Sequence, residues 1–184
     1  MTKLGSFSNK MVSIFLCLAL LPPLLCLAAP AAKAAEPGAL PGQGTEQDPY
    51  RISTPEDLDA LRAYGNKAAS NGKFFRLEND IDLTAYLAES GGGHAQWGAK
   101  GWQPIEYFAG TLDGAGHTIS GLYYSRAGED RLGLFSNLEG ATVKDLAITT
   151  PNKQLLGRDY VGLLAGYGNY NTFTNVQLTL GGSI

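Results

Sequence analysis

Cysteine is nearly missing from this chain: there are two in 184 residues, and both, Cys17 and Cys26, lie in an apolar N-terminal stretch. If that stretch is a leader that is cut away, the remaining chain has neither disulfides nor a cysteine metal site, and its own core must hold it together. Histidine is equally scarce, with only His94 and His117. No His-Glu-x-x-His occurs, so the zinc-peptidase arrangement of two histidines one helical turn apart is excluded. Runs of basic residues interleaved with aromatics are absent as well. With 17 acidic against 14 basic residues, the chain repels phosphate backbones, and nucleic acid is excluded as a partner.

Long apolar runs are limited to Met11–Ala29, which follows Lys3 and Lys10, is broken by Pro22 and Pro23, and leads into the small residues of Ala28 to Ala35. A positive start, a short apolar centre and an Ala-x-Ala exit predict a secretory signal peptide over residues 1–34, cleaved after Ala32-Lys33-Ala34. The prolines and the small residues oppose a retained membrane anchor, and Leu25 before Cys26 opposes a lipoprotein signal. The product is expected to be secreted or held at the cell surface, with no stable membrane span after cleavage. Cleavage removes three of the 14 basic residues and none of the 17 acidic ones, which moves the net charge from −3 to −6. Residues 35–49, rich in Gly and Pro, read as a flexible leader, and residues 50–184 as a single domain.

What the chain does have is repetition. Gly110-Thr-Leu-Asp-Gly-Ala-Gly-His-Thr-Ile-Ser-Gly-Leu122, Gly133-Leu-Phe-Ser-Asn-Leu-Glu-Gly-Ala-Thr-Val-Lys-Asp-Leu146 and Gly162-Leu-Leu-Ala-Gly-Tyr-Gly-Asn-Tyr-Asn-Thr-Phe-Thr-Asn-Val176 vary one pattern. Aligned at their ends, Thr118–Tyr124, Thr142–Ile148 and Thr172–Leu178 each read Thr, apolar, polar, then Gly121, Asp145 or Asn175, then apolar. Gly, Asp and Asn tolerate left-handed backbone, so each copy is expected to turn a corner there. A unit this small cannot bury its apolar face alone, whereas stacked units can. The predicted fold is all-β, a right-handed parallel β-helix whose coils span residues 73–184, with a short capping helix inside an N-terminal cap at residues 50–72. Thr54 caps that helix, Pro55 opens it, and Asn66 and Gly72 mark its end.

The run from Gly110 to Leu122, with Gly133-Leu-Phe135 and Tyr160-Val-Gly-Leu-Leu-Ala-Gly166, resembles the β-helix regions of bacterial surface proteins that carry the GLUG motif. Ile52–Leu58, Leu77–Leu83 and Trp102–Ile105 resemble the segments that enter such regions. The resemblance covers roughly residues 50 to 180. It implies a scaffold rather than an activity, because the motif consists of packing and turn residues. The family's paired glycines before Leu are not kept at Gly162-Leu163-Leu164.

Several residues are candidates for chemistry. Asp113 and His117 form an acid and a base within a glycine-rich turn, although no nucleophile or third group accompanies them, and a hydrogen-bonded turn histidine is the competing reading. Asp80 and Asp82 share a strand face and could hold a hard cation; equally, they could accept backbone N–H groups in a turn. Residues 87–101 read as an insertion loop in which Trp97 and His94 are candidate ligand-binding residues, while Trp102 is expected in the core. No cofactor is implied. The tail ends on a strand with no cap, which predicts either further coils or self-association at an open C-terminal end.

Two function classes follow. The first is an exported, non-enzymatic, adhesin-like β-helix that binds a carbohydrate or a host or cell surface. The second is a polysaccharide-active lyase or glycoside hydrolase, or the repeat region of a larger surface protease; it lacks a converging set of outward-facing carboxylates.

Overall fold

The structure, a computed structural model, describes residues 39–150 and 155–181. The signal peptide expected at residues 1–34 lies outside the described residues, as does the start of the leader. The described chain is mostly strand: β1 (Tyr50–Ile52), β2 (Phe74–Leu77), β3 (Ile81–Asp82), β4 (Ile105–Phe108), β5 (Thr111–Asp113), β6 (Thr118–Ser120), β7 (Tyr124–Ser125), β8 (Phe135–Glu139), β9 (Thr142–Thr150), β10 (Leu155–Leu156), β11 (Ala165–Asn169) and β12 (Thr172–Leu180). Three short helices accompany them: α1 (Pro55–Ala60), α2 (Lys67–Ser70) and α3 (Gly92–Trp97).

Among the described residues every pairing between two of these strands is parallel, and Gly101 forms an isolated antiparallel bridge with Tyr124. The largest sheet runs β1-β2-β5-β9-β6-β3, with β12 on the other side of β9; the smaller sheets are β11-β8-β4 and β10-β7. All-β architecture and parallel pairing therefore stand as expected.

The register corrects the repeat alignment. Ile105 pairs with Phe135 and Phe135 with Ala165, and Thr142 pairs with Thr172, so the later copies align as the sequence indicates. In the first copy, however, Thr111-Leu112-Asp113 rather than Thr118-Ile119-Ser120 lies beside Thr142-Val143-Lys144, and Thr118-Ile119 lies beside Ala147-Ile148. Both limbs of that copy read Thr-apolar-polar, so the sequence alone cannot choose between them. The four residues from Gly114 to His117 occupy the corner that Asp145 and Leu146 turn in the next pass.

That corner does require left-handed backbone, with φ of 50° at both Asp145 and Asn175, whose side chains are joined by a 2.9 Å hydrogen bond from Asn175 Nδ2 to Asp145 Oδ1. An L-residue pays roughly 1–2 kcal/mol for such a conformation, and Asp and Asn pay least after glycine.

Inward positions form columns. Ile81, Ile119 and Ile148 stand in one, Leu112 and Val143 in another, all buried. Phe75, Phe108 and Phe135 pile ring on ring at 5.4 and 4.9 Å. Each fully buried side chain of this size contributes roughly 1.5–3 kcal/mol. In β12 the same columns continue through Phe173 and Leu178, which are 52% and 50% exposed because β12 is paired on one side only.

The N-terminal end is covered differently. Thr54 and Asp57 form a reciprocal capping box at α1, and Leu58 and Leu61 are buried. Asn66 does not end this helix as the sequence suggests; its side chain accepts from the Ala69 N–H and starts α2, so the helix is broken into short pieces. The described part of the expected leader, residues 39–49, is packed rather than free. Leu40 is 4% exposed within the core cluster, Pro41 O accepts from the Arg51 N–H, and Gly44 O accepts from the Phe74 N–H. Its Gly and Pro residues are turn formers, and composition does not separate a turn from a linker.

If the bend is a real constraint, Asp145→Val lowers the unfolding free energy by about 1–2 kcal/mol while Asp145→Gly costs less than half of that. Urea denaturation of the two variants compares them directly, and equal losses would remove the bend from the account.

Candidate functional site

The residues singled out in the sequence do not converge. Asp113 lies against Lys144 Nζ at 2.9 Å and Arg76 Nη1 at 3.8 Å, and its Oδ1 accepts from the Ala115 N–H at 2.8 Å. Burial raises its pKa, but the Lys144 contact, the Ala115 N–H and the Arg76 charge outweigh that and hold the carboxyl below its ordinary range. A carboxylate kept ionised in this way is unsuited to donating a proton near neutral pH.

His117 faces a different partner, its Nδ1 lying 3.2 Å from Asp80 Oδ1, which also accepts from the Thr118 N–H. Asp82 accepts from the Thr84 N–H at 2.9 Å. Asp80 therefore receives a backbone donor from the neighbouring pass and Asp82 one from its own turn; the carboxyl of Asp80 is held low chiefly by the Thr118 N–H, and that of Asp82 by the Thr84 hydroxyl and then the Thr84 N–H. Among the described residues no group of three His, Cys, Asp or Glu side chains could hold a metal.

The expected loop at residues 87–101 contains α3 and a 3-10 turn at Gly98–Lys100. Glycine is a poor helix former, yet Gly93 is needed there, since a Cβ would sit 2.8 Å from the Tyr86 ring and 2.9 Å from Leu87. Tertiary contact thus outweighs propensity. His94 is half-buried on α3. Trp97 meets Trp102 edge-on at 5.4 Å, and the Arg62 guanidinium lies 4.5 Å from the Trp97 ring centre and 4.7 Å from that of Trp102. Trp102 is fully buried, as expected, and donates its indole N–H to Leu134 O at 3.0 Å.

Arg62 marks the edge of a cleft of about 440 Å³, bounded by residues of the 3-10 turn Leu61–Tyr64, of β4 and β8, and of the turn at residues 129–132. Most charges around it are already paired. Arg62 binds Asp59 and the carbonyls of Gln103 and Pro104. Glu129 is held by Lys100 and Arg126, and Asp130 by Arg158. Two charges lie outside these pairs among the described residues: the Glu106 carboxylate has no partner there, and Arg131 acts on Asp130 by its charge but forms no ion pair there. Arg131 instead donates to Asn137 Oδ1 at 3.0 Å and stands 5.3 Å from the Tyr167 ring centre. Tyr167 in turn meets Tyr160 at 6.5 Å with the rings at 84°.

Sequence reasoning passed over Arg62, Glu106, Tyr160 and Tyr167, although a signal was present. Asp130-Arg-Leu-Gly-Leu-Phe135 and Asp159-Tyr-Val-Gly-Leu-Leu164 repeat one motif, and Leu132 bridges Val161. Its second position projects a large side chain from left-handed backbone, with φ of 56° at Arg131 and 57° at Tyr160.

With this geometry in hand, comparison with known proteins adds two relatives. Halomucin of Haloquadratum walsbyi is 38% identical over 146 residues, covering 75% of this chain and 2% of that protein. A protein of Evansella cellulosilytica named as a Gly-rich membrane protein is 35% identical over 146 residues, covering 76% of this chain and 15% of that protein. The chain thus spans only a small fraction of the length of these relatives. No protein-family model and no solved structure matches it.

Two stability predictions follow from these contacts. A carboxyl depressed in the folded state contributes stability above the unfolded carboxylate range, and that contribution is lost as pH falls through the folded pKa. Asp113→Asn is therefore expected to lower stability at pH 7 and to flatten its decline below about pH 4, as urea midpoints across pH would record. Arg126 is buried and donates to Trp102 O, Gly101 O and Glu129. Arg126→Ala strands two carbonyls and is expected to cost about 2–3 kcal/mol by the same measurement.

Proposed function

We propose that this chain is a non-enzymatic module carried at the cell surface or membrane, with a GLUG-type right-handed parallel β-helix as a rigid scaffold for binding surface glycans. The observation that carries the reading is the match of three quarters of the chain to two far longer proteins, one of them named as a membrane protein. The N-terminal stretch that reads as a signal peptide agrees with it. Parallel passes about 30 residues apart in the later copies, with inward columns and corners at matching places, support the scaffold. Among the described residues no helix is long and apolar enough to cross a membrane.

Asp113, neutralised by Lys144 and Arg76, and His117, turned to Asp80, favour binding over turnover. The exposed columns of β12, beside an apolar groove of about 400 Å³ lined by Leu163, Leu164, Phe173, Val176 and Leu178, fit association with a further strand.

The reading is tested by protease shaving of intact cells that express the protein, together with a glycan array that is also assayed for product release. The expected result is loss of the protein on shaving and saturable glycan binding without product. Protein retained inside unpermeabilised cells would overturn the surface assignment, and polysaccharide turnover abolished by Asp113→Asn would replace binding with catalysis.

A further inference from the structure

We infer that the cleft between Glu106 and Arg131, together with the Tyr167–Tyr160 pair beside it, is a binding site for a neutral oligosaccharide. This rests on the reading of the chain as a surface glycan-binding module and names the site and the ligand class within it.

The cleft's volume of about 440 Å³ is in the range of pockets that enclose small ligands. The Glu106 carboxylate, without a partner among the described residues, and the Arg131 guanidinium, bonded to Asn137 but in no ion pair among those residues, are of opposite sign and offset one another. Planar acceptors and donors of this kind suit ligand hydroxyls, each of which both donates and accepts. Ser136 adds a hydroxyl to the lining, and Asn137 is held between Arg131 Nη1 at 3.0 Å and Glu106 O at 3.0 Å, which fixes the wall.

Beside this polar wall stand Tyr160 and Tyr167, 61% and 44% exposed. Aromatic rings left in solvent next to a polar cleft provide an apolar face and a hydroxyl, matching a sugar ring's C–H face and its rim of hydroxyls. Arg131 and Tyr160 are held at φ of 56° and 57°. Large side chains in that conformation cost free energy that a plain turn would avoid with glycine, and such outliers concentrate at binding sites. An anionic glycan is disfavoured, since the cleft supplies no surplus positive charge and the chain as a whole is net acidic at −3.

Calorimetric titration of the purified full chain with maltohexaose and cellohexaose, and with an oligogalacturonate as anionic probe, tests the assignment. Saturable binding of a neutral hexaose is expected, weakened about tenfold in both Tyr167→Ala and Glu106→Gln and unchanged in Lys144→Ala, which alters a different sheet. Unfolding midpoints of the variants confirm that the fold persists; if Tyr167→Ala unfolds, Tyr160→Ala replaces it. Failure of both hexaoses to bind, a preference for the oligogalacturonate, or binding indifferent to the cleft variants would overturn the site. Glycan binding on the array that these variants leave intact would refute this cleft while leaving the surface-module reading standing.

Discussion

A chain that returns beside itself in parallel must bring the same chemistry to the same depth each time it passes, and this constraint organises the structure. In a parallel ladder the neighbour of each residue is one whole pass away, so an apolar position becomes a column and a corner becomes a row of corners. Ile81, Ile119 and Ile148 share a column in the observed register, which buries all three. Where the first pass carries two more residues between its limbs than the next, the difference is absorbed at the corner, in Gly114–His117, and the columns on either side stay aligned.

The same constraint governs polar groups. A buried backbone N–H or C=O near a corner loses its ladder partner and must find another. Side chains from the adjacent pass supply it: Asn171 accepts from the Ala141 N–H and donates to Leu138 O, and Ser70 Oγ accepts from the Ala109 N–H. Burial of Tyr124 raises its pKa to about 12, and its hydroxyl donates to Gly162 O. These contacts tie passes together where the ladders stop, and they leave the outward side chains free to vary.

Function, on this view, belongs to the side chains that the columns do not claim. Glu106 and Tyr167 lie on a sheet whose inner positions are Ile105, Phe135 and Phe108, and Arg131 and Tyr160 lie in the turns that lead into its strands β8 and β11.

Periodicity and turn chemistry were legible in the sequence for a local reason. Thr54 and Pro55 start a helix, Asp145 and Asn175 accept left-handed backbone, and Thr-apolar-polar alternation makes strands, because each preference acts over a few neighbouring residues. The later copies, thirty residues apart, could likewise be aligned by inspection. Tertiary structure alone decided the first copy's register, since two of its limbs carry equivalent patterns, both bury their apolar residue, and only their pairing partners on β9 differ. It also decided the packing of Leu40 and the helix at Gly92–Trp97, where contact with distant side chains outweighs composition. Above all it decided the partners of the charged residues. Asp113 and His117 are four positions apart in sequence, but parallel stacking gives each a partner from a neighbouring pass, Lys144 and Asp80, and brings Glu106, Arg131 and Tyr167 from three successive passes to one cleft and its rim.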